Sequence, residues 1–277
     1  MKRIVTIQDI SCVGKCSLTV ALPVISAMGI ETSVLPTALL SAHTMFSGYT
    51  YKDLTDQIRP ITEHWKKEGF SFDAIYTGYL GSFEQIRLVS DLFDEFRTDD
   101  NLIIVDPVMG DNGKLYPGFD EDYAKENTKL CAGADLILPN LTEASCMTGI
   151  PYKTQYDRAY IMDLLEALCA LGPKYAVLTG ISFDSDRIGV MGLDAETHQS
   201  FEYYTGRIPT GYHGTGDVFS STVTGALVRG RSLGDALRIA CEYTKDTMEY
   251  TYRTRGENAY SVDFEVTIPE LVRMINE

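Results

Sequence analysis

A glycine-rich segment, Gly211-Tyr-His-Gly-Thr-Gly-Asp217, leads directly into a run with helical periodicity at residues 218–229. Gly214 and Gly216 allow close backbone approach and unusual φ angles. Backbone N–H groups at such a junction point at one spot, and the helix dipole adds positive potential there, so the segment predicts a pocket for a transferring phosphoryl group. Asp217 could then accept the proton of an attacking hydroxyl. The alternative is a plain helix start whose acid complements the dipole.

Polar residues also follow three apolar, strand-like runs. Asp106 comes directly after one run and could face a metal–phosphate complex, and the Thr179 hydroxyl could bond a phosphate oxygen after another. Each residue could instead simply open a turn. The runs are residues 101–105, 135–138 and 174–178.

Asn140 and Glu143 follow the run at 135–138. Their spacing matches a capping box, in which the two side chains reciprocally satisfy backbone donors at a helix start. The functional alternative is that Glu143 organises Mg²⁺ near the ATP phosphates, directly or through water.

The apolar runs are short and continuous, which is typical of strands covered on both faces. They alternate with helical patterns, so we expect βαβ units, a mainly parallel sheet and one α/β domain over residues 1–277. Two runs around a polar turn predict an antiparallel edge hairpin, at 188–193 and 199–204. Further strands are expected at 3–8, 32–37 and 74–77, and helices at 17–28, 51–68, 83–96, 217–229, 233–252 and 269–275.

The composition restricts the class of function. The formal net charge is −15, from 39 acidic and 24 basic residues, so the surface repels nucleic-acid backbones. The six cysteines form no CxxC pair, which argues against a thiolate metal site and favours reduced thiols. No secretory signal and no membrane-spanning run is found, and we therefore expect a cytoplasmic protein.

Four segments, in their order and spacing, resemble the pyridoxal kinase family of the ribokinase-like superfamily. They are Thr77-Gly-Tyr-Leu-Gly-Ser82, Val105-Asp-Pro-Val-Met-Gly-Asp111, Pro139-Asn-Leu-Thr-Glu143 and Gly214-Thr-Gly-Asp217. Residues 9–14 and 40–44 also lie where that family places substrate-contacting segments.

The resemblance implies a role for each matching residue. Asp217 matches the general base, beside a loop whose amides bind the phosphoryl group, formed by Gly214, Thr215 and Gly216. Ser11 matches a residue that hydrogen-bonds the pyridine ring, and two others, His43 and Tyr79, border the vitamer. The residues on the ATP and metal side are Asp106, Asn140, Glu143 and Thr179, with Asp106 and Glu143 nearest the metal.

The resemblance also implies a three-layer α/β/α fold with an antiparallel edge hairpin, no separate lid domain, and a homodimer. The implied reaction transfers a phosphoryl group from ATP, with Mg²⁺, to the 5′-hydroxymethyl group of pyridoxal, pyridoxine or pyridoxamine. Whether K⁺ assists stays open. The polar segment 111–122 is hypothesised to close over ATP and exclude water.

Three alternatives stay open from the sequence. A hydroxymethylpyrimidine kinase of thiamine synthesis is related, but that family is associated with a Gly-Thr-Gly-Cys loop, whereas this chain has Asp217. A sugar or nucleoside kinase often carries an added β-lid after the first strand, and no such insertion is seen. A non-catalytic vitamer-binding protein on the same fold would need no base, so Asp217 argues against it.

Overall fold

The computed structural model describes residues 1–277 and contains eleven strands. Nine of them form one sheet in the order β11-β10-β9-β8-β5-β4-β1-β2-β3, and β6 and β7 form a separate small hairpin. The strands are β1 (Arg3–Ser11), β2 (Glu31–Leu40), β3 (Tyr51–Asp53), β4 (Ala74–Thr77), β5 (Leu102–Val105), β6 (Gly110–Asp111), β7 (Lys114–Leu115), β8 (Leu136–Ile137), β9 (Tyr175–Ile181), β10 (Arg187–Asp194) and β11 (Ser200–Gly206).

The centre of the sheet is parallel and its edges are antiparallel. The pairs from β2 through β1, β4, β5 and β8 to β9 all run parallel. At one edge β10 pairs antiparallel with β9 and β11, which confirms the hairpin predicted at 188–193 and 199–204. At the other edge β3 runs antiparallel to β2.

Nine helices cover the two faces of the sheet in two layers. Successive strand residues face opposite layers: Ile75 belongs to one core and Tyr76 to the other. The two cores contain 34 and 32 buried residues, so the helical layers bury similar numbers of residues on the two faces of the sheet. The fold is therefore a three-layer α/β/α sandwich. The helices are α1 (Leu18–Ala27), α2 (Thr55–Glu68), α3 (Phe83–Phe96), α4 (Glu121–Ala132), α5 (Leu141–Thr148), α6 (Arg158–Cys169), α7 (Thr215–Val228), α8 (Leu233–Arg255) and α9 (Phe264–Asn276).

The expected helix over 51–68 was wrong at its start. Residues Tyr51–Asp53 form β3, and α2 begins only at Thr55. The reason is local: the Asp53 carboxylate accepts a hydrogen bond of 2.7 Å from the Thr55 N–H, and this turn separates the strand from the helix. Helices α4 and α6 were not expected, although Asp120 and Asp157 cap their N-termini. Of α5 only the start was indicated, by the capping-box spacing of Asn140 and Glu143. No helix combines the length and apolar character that crossing a bilayer requires.

The direction of chain winding changes between β1 and β4. From β1 the chain adds β2 on one side and later β4 on the other. In open α/β sheets, ligands bind in the crevice beyond the carboxyl ends of strands at such a switch point. The end of β1 at Ser11 and the segment after β4, which includes Tyr79, therefore border the expected crevice.

Helix α7 starts at a glycine that the backbone requires. Gly214 is its N-cap with φ 84°, in the left-handed region that side chains rarely adopt. A Cβ at Gly214 would lie 2.2 Å from the Lys15 carbonyl oxygen, whereas a Cβ at Gly216 would meet nothing within 4 Å. The two glycines of the loop therefore have different structural demands.

We predict that Gly214→Ala destabilises the protein and that Gly216→Ala does not. The first substitution combines a left-handed backbone, which costs about 1–2 kcal/mol, with a clash against backbone; the second adds a methyl group to open space. Urea unfolding of both variants measures the difference. Equal unfolding free energies for the two alanine variants would contradict this account of the loop.

Candidate active site

The N-terminus of α7 presents unused backbone donors. Its N-cap Gly214 has no side chain to cap the helix. The Thr215 hydroxyl donates to the Tyr212 carbonyl at 3.1 Å, away from the first-turn amides. The N–H groups of Thr215, Gly216 and Asp217 donate to no acceptor within the protein. Because such amides and the helix dipole attract anions, this α7 mouth (residues 214–217) can bind a phosphoryl group.

Asp217 lies in the first turn of α7, beside these amides. It is deep among protein atoms yet keeps partial solvent exposure, so its carboxylate is not walled off. Burial raises the pKa of Asp217 to about 7; the backbone of Ser17 opposes this, and the carboxylates of Asp106 and Asp9 add to it. A carboxylate with a pKa near neutrality is suited to accept a substrate proton. The structure thus gives Asp217 the location and acidity that its predicted role needs.

Asp106 follows β5 and is buried. Its Oδ2 accepts a hydrogen bond of 2.7 Å from the Ser220 hydroxyl. Burial raises the pKa of Asp106, while Ser220 and the Val108 N–H oppose that rise. Ser220 stands three residues after Asp217 and so shares its face of α7. One helix face therefore carries the predicted base and fixes the predicted metal-side carboxylate.

Glu143 is buried and engaged by backbone on both carboxylate oxygens. Oε1 accepts from the Met109 N–H at 3.0 Å, and Oε2 accepts from the Asn140 N–H at 2.8 Å. Burial raises the pKa of Glu143, and the neighbouring Asp106 carboxylate raises it further. The capping box that the spacing suggested is present at the start of α5. Both Glu143 oxygens therefore already accept hydrogen bonds from backbone N–H groups. Glu143 could bind a metal only through its remaining lone pairs or through a water molecule.

Asn140 joins three segments of the predicted ATP side. Its Oδ1 accepts from the Thr142 and Glu143 amides, and its Nδ2 donates to the Gly110 carbonyl at 2.8 Å. Its backbone bridges Thr179, which is partly exposed near the end of β9. Asn140 thus fixes the β6–β7 hairpin to the start of α5 and holds Thr179 beside it.

The substrate side begins opposite a β-bulge in β2. Gln8 pairs with Pro36 and Ile10 pairs with Leu39, so two β2 residues lie opposite Asp9 alone. Bulges of this kind re-aim side chains next to functional sites. Asp9 is buried, and its carboxylate accepts from the Ser11 hydroxyl at 3.2 Å. Burial raises the pKa of Asp9, although the hydroxyls of Ser17 and Ser11 oppose that rise.

Tyr79 and His43 lie on two further loops of this crevice. The Tyr79 ring stacks on Phe119, with centroids 5.6 Å apart, and its pKa is raised by burial and by Asp9. The His43 N–H donates to the Val13 carbonyl at 2.7 Å, and its ring lies 4.7 Å from that of His213, next to the α7 mouth. Both residues are half-buried; Tyr79 lies near Asp9, whose carboxylate affects its pKa, and His43 lies near the α7 mouth through His213.

Sequence reasoning named Asp9 only as the first residue of the 9–14 segment, and it missed Ser220. Asp9 stands near a strand end, so the rule that found Asp106 could have found it, whereas the β2 bulge opposite Asp9 is not visible in the sequence. Ser220 could have been found as the residue one helical turn after Asp217. The roles predicted for the other residues stay predictions, although their positions converge.

A divalent cation fits the chemistry of this edge without a ready-made cage. No group of three or more His, Cys, Asp or Glu side chains is placed to hold a metal. Asp106 and Glu143 nevertheless lie close enough that one raises the pKa of the other. Mg²⁺ is commonly held by one or two carboxylates together with substrate phosphates and waters. The donor set is therefore one that Mg²⁺ could use only together with a phosphate ligand.

A cleft of about 540 Å³ lies elsewhere, against the β10–β11 hairpin. Its lining includes Tyr156, Phe183 and Tyr204, and none of the predicted site residues belongs to it. The convergence of strand-end loops with the α7 mouth, rather than the volume of this cleft, therefore locates the candidate active site.

Comparison with known proteins agrees with this geometry. The family model described as phosphomethylpyrimidine kinase matches residues 22–263. A candidate phosphomethylpyrimidine kinase from Bacteroides thetaiotaomicron, solved with pyridoxal, is 38% identical with a TM-score of 0.92, over 98% of this chain and 95% of that one. Pyridoxal kinase from Lactobacillus plantarum is 33% identical with a TM-score of 0.90, over 99% and 98% of the two chains.

A third relative extends the match to a curated enzyme. The pyridoxine/pyridoxal/pyridoxamine kinase of Bordetella avium is 30% identical over 264 residues, which are 90% of this chain and 85% of that protein. The matches span nearly the whole chain, so they include both the α7 mouth and the strand-end residues. The chain therefore belongs to the phosphomethylpyrimidine kinase family and, within the ribokinase-like superfamily, to the group that includes the pyridoxal kinases.

Proposed function

We propose that this protein transfers the γ-phosphoryl group of ATP to the 5′-hydroxymethyl group of a B6 vitamer: pyridoxal, pyridoxine or pyridoxamine. The observation that carries the proposal is the accessible Asp217 carboxylate beside three unused backbone donors at the α7 mouth. The relative solved with pyridoxal and the related pyridoxal kinases support the substrate class.

The chemistry assigned to Asp217 is proton acceptance. As the vitamer hydroxyl oxygen bonds to the γ-phosphorus, its proton moves to the Asp217 carboxylate, and the bond from phosphorus to the bridging oxygen of ADP breaks. The amides of the α7 mouth donate to the phosphoryl oxygens, where charge concentrates during transfer. The crevice at the ends of β1 and β4 holds the vitamer next to this point.

Mg²⁺ would supply charge neutralisation for the ATP phosphates when bound. Asp106 and Glu143 are the residues that would hold it, with phosphate oxygens and water completing its shell. Asn140 and Thr179 border the same side, and the Thr179 hydroxyl, which donates to the Pro139 carbonyl at 3.4 Å, would bond a phosphate oxygen when ATP is bound. Ser220 keeps the Asp106 carboxylate oriented.

Hydroxymethylpyrimidine phosphorylation is the second candidate. The matching family model is described by phosphomethylpyrimidine, and a hydroxymethylpyrimidine/phosphomethylpyrimidine kinase of Bacillus subtilis is 28% identical over 204 residues. Its substrate is also a small aromatic heterocycle with a hydroxymethyl group, so the same base and amides would serve it. Asp217 in place of the cysteine associated with that activity favours the B6 reaction.

Further parts of the proposal concern the organisation of the protein. We infer that residues 1–277 act as one kinase domain, since a single nine-stranded sheet carries both helical layers. The family resemblance supports a cytoplasmic homodimer. The segment 111–122 is proposed to cover ATP, because Asn140 and Thr142 bind the hairpin at its start and Phe119 contacts Tyr79.

A substrate panel tests the proposed function. We expect ATP-dependent phosphorylation of pyridoxal, pyridoxine or pyridoxamine, with weaker turnover of hydroxymethylpyrimidine and none of ribose, measured as phosphorylated product. Faster turnover of hydroxymethylpyrimidine than of every B6 vitamer would favour the second candidate. No transfer to any of these alcohols would contradict both.

We predict that Asp217→Asn lowers kcat by about 10²–10⁴-fold, because the amide cannot accept the hydroxyl proton. The protein should stay folded, since the substitution removes a buried acid and keeps its shape. Turnover and thermal unfolding measure the two effects. Asp235→Asn is the matched control: it changes an acid in the first turn of α8, which is exposed. Near-normal turnover in Asp217→Asn would remove this residue from the mechanism.

We predict an acidic limb in the pH profile of kcat/KM near pH 7. Burial raises the pKa of Asp217 to about 7, and only the ionised form accepts a proton. Activity should therefore rise as the pH increases through that value and fall below it. Measuring two vitamers separates the titration of the protein from that of either substrate. A limb near the ordinary pKa of an aspartic acid, about 4, would be inconsistent with the buried site.

A further inference from the structure

The loop between β1 and α1, residues 12–17, has an unusual backbone. Gly14 has φ 138°, and the non-glycine residues Lys15 and Ser17 have φ of 49° and 51°. Ser17 is the N-cap of α1, but its side chain caps no helix amide. Side-chain-bearing residues adopt such angles only where their surroundings hold them there. Something outside the loop must therefore fix it.

The Lys15 side chain supplies that restraint through an ion-pair cluster. Its Nζ lies 2.7 Å from Asp263 Oδ1 and 2.9 Å from Glu265 Oε2. Asp263 is buried, and its second oxygen lies 2.7 Å from Arg255 Nε. The Asp263 N–H donates to the Thr251 hydroxyl at 2.8 Å, which anchors the cluster on α8. A buried, doubly paired acid of this kind is costly to leave unpaired, so it restrains its lysine firmly.

The Lys15 backbone contacts the α7 mouth. Its carbonyl oxygen lies where a Cβ on Gly214 would come within 2.2 Å, so the loop presses directly on the N-cap. The Ser261 hydroxyl lies 3.2 Å from the Lys15 carbonyl oxygen and 3.1 Å from that of His213. Ser261 is buried, and its hydroxyl joins the 12–17 loop to the segment before α7. Ser17 belongs to the same loop, and its backbone lowers the pKa of Asp217.

We propose that Lys15 is a positioning residue, which through Asp263 holds the 12–17 loop against the α7 mouth and so fixes the surroundings of Asp217. The expected effect on catalysis rests on the proposed function. The contact between the 12–17 loop and the α7 mouth does not depend on it. The Lys15 ammonium group pairs with Asp263 and Glu265, and only the Lys15 backbone reaches the α7 mouth, at Gly214. Lys15 acts through its own backbone and through Ser17.

The geometry has a consequence that a purely structural lysine would not have. The backbone of Ser17 lowers the pKa of Asp217, in opposition to burial and to the carboxylates of Asp106 and Asp9. If the loop relaxes, that opposition weakens, and the pKa of Asp217 rises. The acidic limb of the activity profile then moves to higher pH, whereas simple loss of folded protein would lower activity equally at all pH values.

The test uses Lys15→Met in the full chain, with Lys15→Arg as rescue. Lys2→Met is the matched control. Lys2 also forms an ion pair, with Asp73 at 2.7 Å, but it lies immediately before the start of β1, whereas the 12–17 loop follows the end of β1. We expect Lys15→Met to lower kcat by about tenfold to a hundredfold, since small misplacements of reacting groups have effects of that size. We expect Lys15→Arg and Lys2→Met to behave as the wild type.

A second measurement keeps the test independent of turnover. Carbon-13 NMR of selectively labelled aspartates, with Asp217→Asn to identify the resonance, follows the titration of Asp217 directly. The midpoint should move to higher pH in Lys15→Met and return in Lys15→Arg. An unchanged Asp217 titration in folded Lys15→Met overturns the proposal, whatever kcat does.

If Lys15→Met does not fold, Ser261→Ala removes only the hydroxyl between the two loops, and an unshifted Asp217 titration there would equally overturn the proposal. If the wild type phosphorylates no vitamer, the proposed function fails, while the NMR titration still decides whether Lys15 controls the environment of Asp217.

Discussion

Four acids at one edge of the sheet, without a cationic partner, are the constraint on which this structure depends. Asp9, Asp106 and Glu143 are buried and Asp217 is half-buried, and burial raises the pKa of each. No lysine or arginine is among the groups that shift these four values. What opposes their mutual repulsion is backbone N–H groups, hydroxyls and the α7 dipole. The four acids therefore form a negatively charged region that a bound cation could neutralise, since no protein cation does so.

This arrangement opposes stability at neutral pH. A carboxyl whose pKa is raised by folding favours the folded state while protonated, and that contribution is lost as the pH rises, through about 7 for Asp217. Two cores of 34 and 32 buried residues offset this cost. Binding of ATP with a divalent cation would relieve the repulsion, since the metal brings positive charge to the acids. The repulsion among the four carboxylates is therefore greatest when the site is empty. Shifted pKa values of this kind are typical of active sites.

The sequence was most informative where chemistry coincides with local rules. Asp106, Asn140, Glu143 and Thr179 were found because parallel strands bring their carboxyl ends to one edge. The bounds of β4 and α3 were predicted to the residue, because apolar runs and caps define both. The helices α4 and α6 were missed although their N-caps are visible, and α5 was indicated only by its capping box.

The rest depends on contacts that no local pattern encodes. The β2 bulge opposite Asp9 inserts one extra residue between paired positions, and no pattern in the sequence marks it. Lys15 and Asp263 are separated by 248 positions in the chain, and only the folded α8–α9 corner brings them together. Sequence spacing can predict that a loop is rich in glycine. It cannot predict which carbonyl will press on that glycine, and at Gly214 this contact decides the geometry.

Asn140 and Glu143 show that a structural and a functional interpretation of one motif need not compete. Their capping box satisfies the first amides of α5, and the remaining polar atoms of the same two side chains, Asn140 Nδ2 and Glu143 Oε1, bind Gly110 and Met109 next to Asp106. A residue that only capped α5 would not need to reach that hairpin. A residue that only bound metal would not have both carboxylate oxygens on backbone amides. Because the same two side chains cap α5 and bind Gly110 and Met109 with their other atoms, the loop after Asp106 is fixed where the ATP phosphates are proposed to lie.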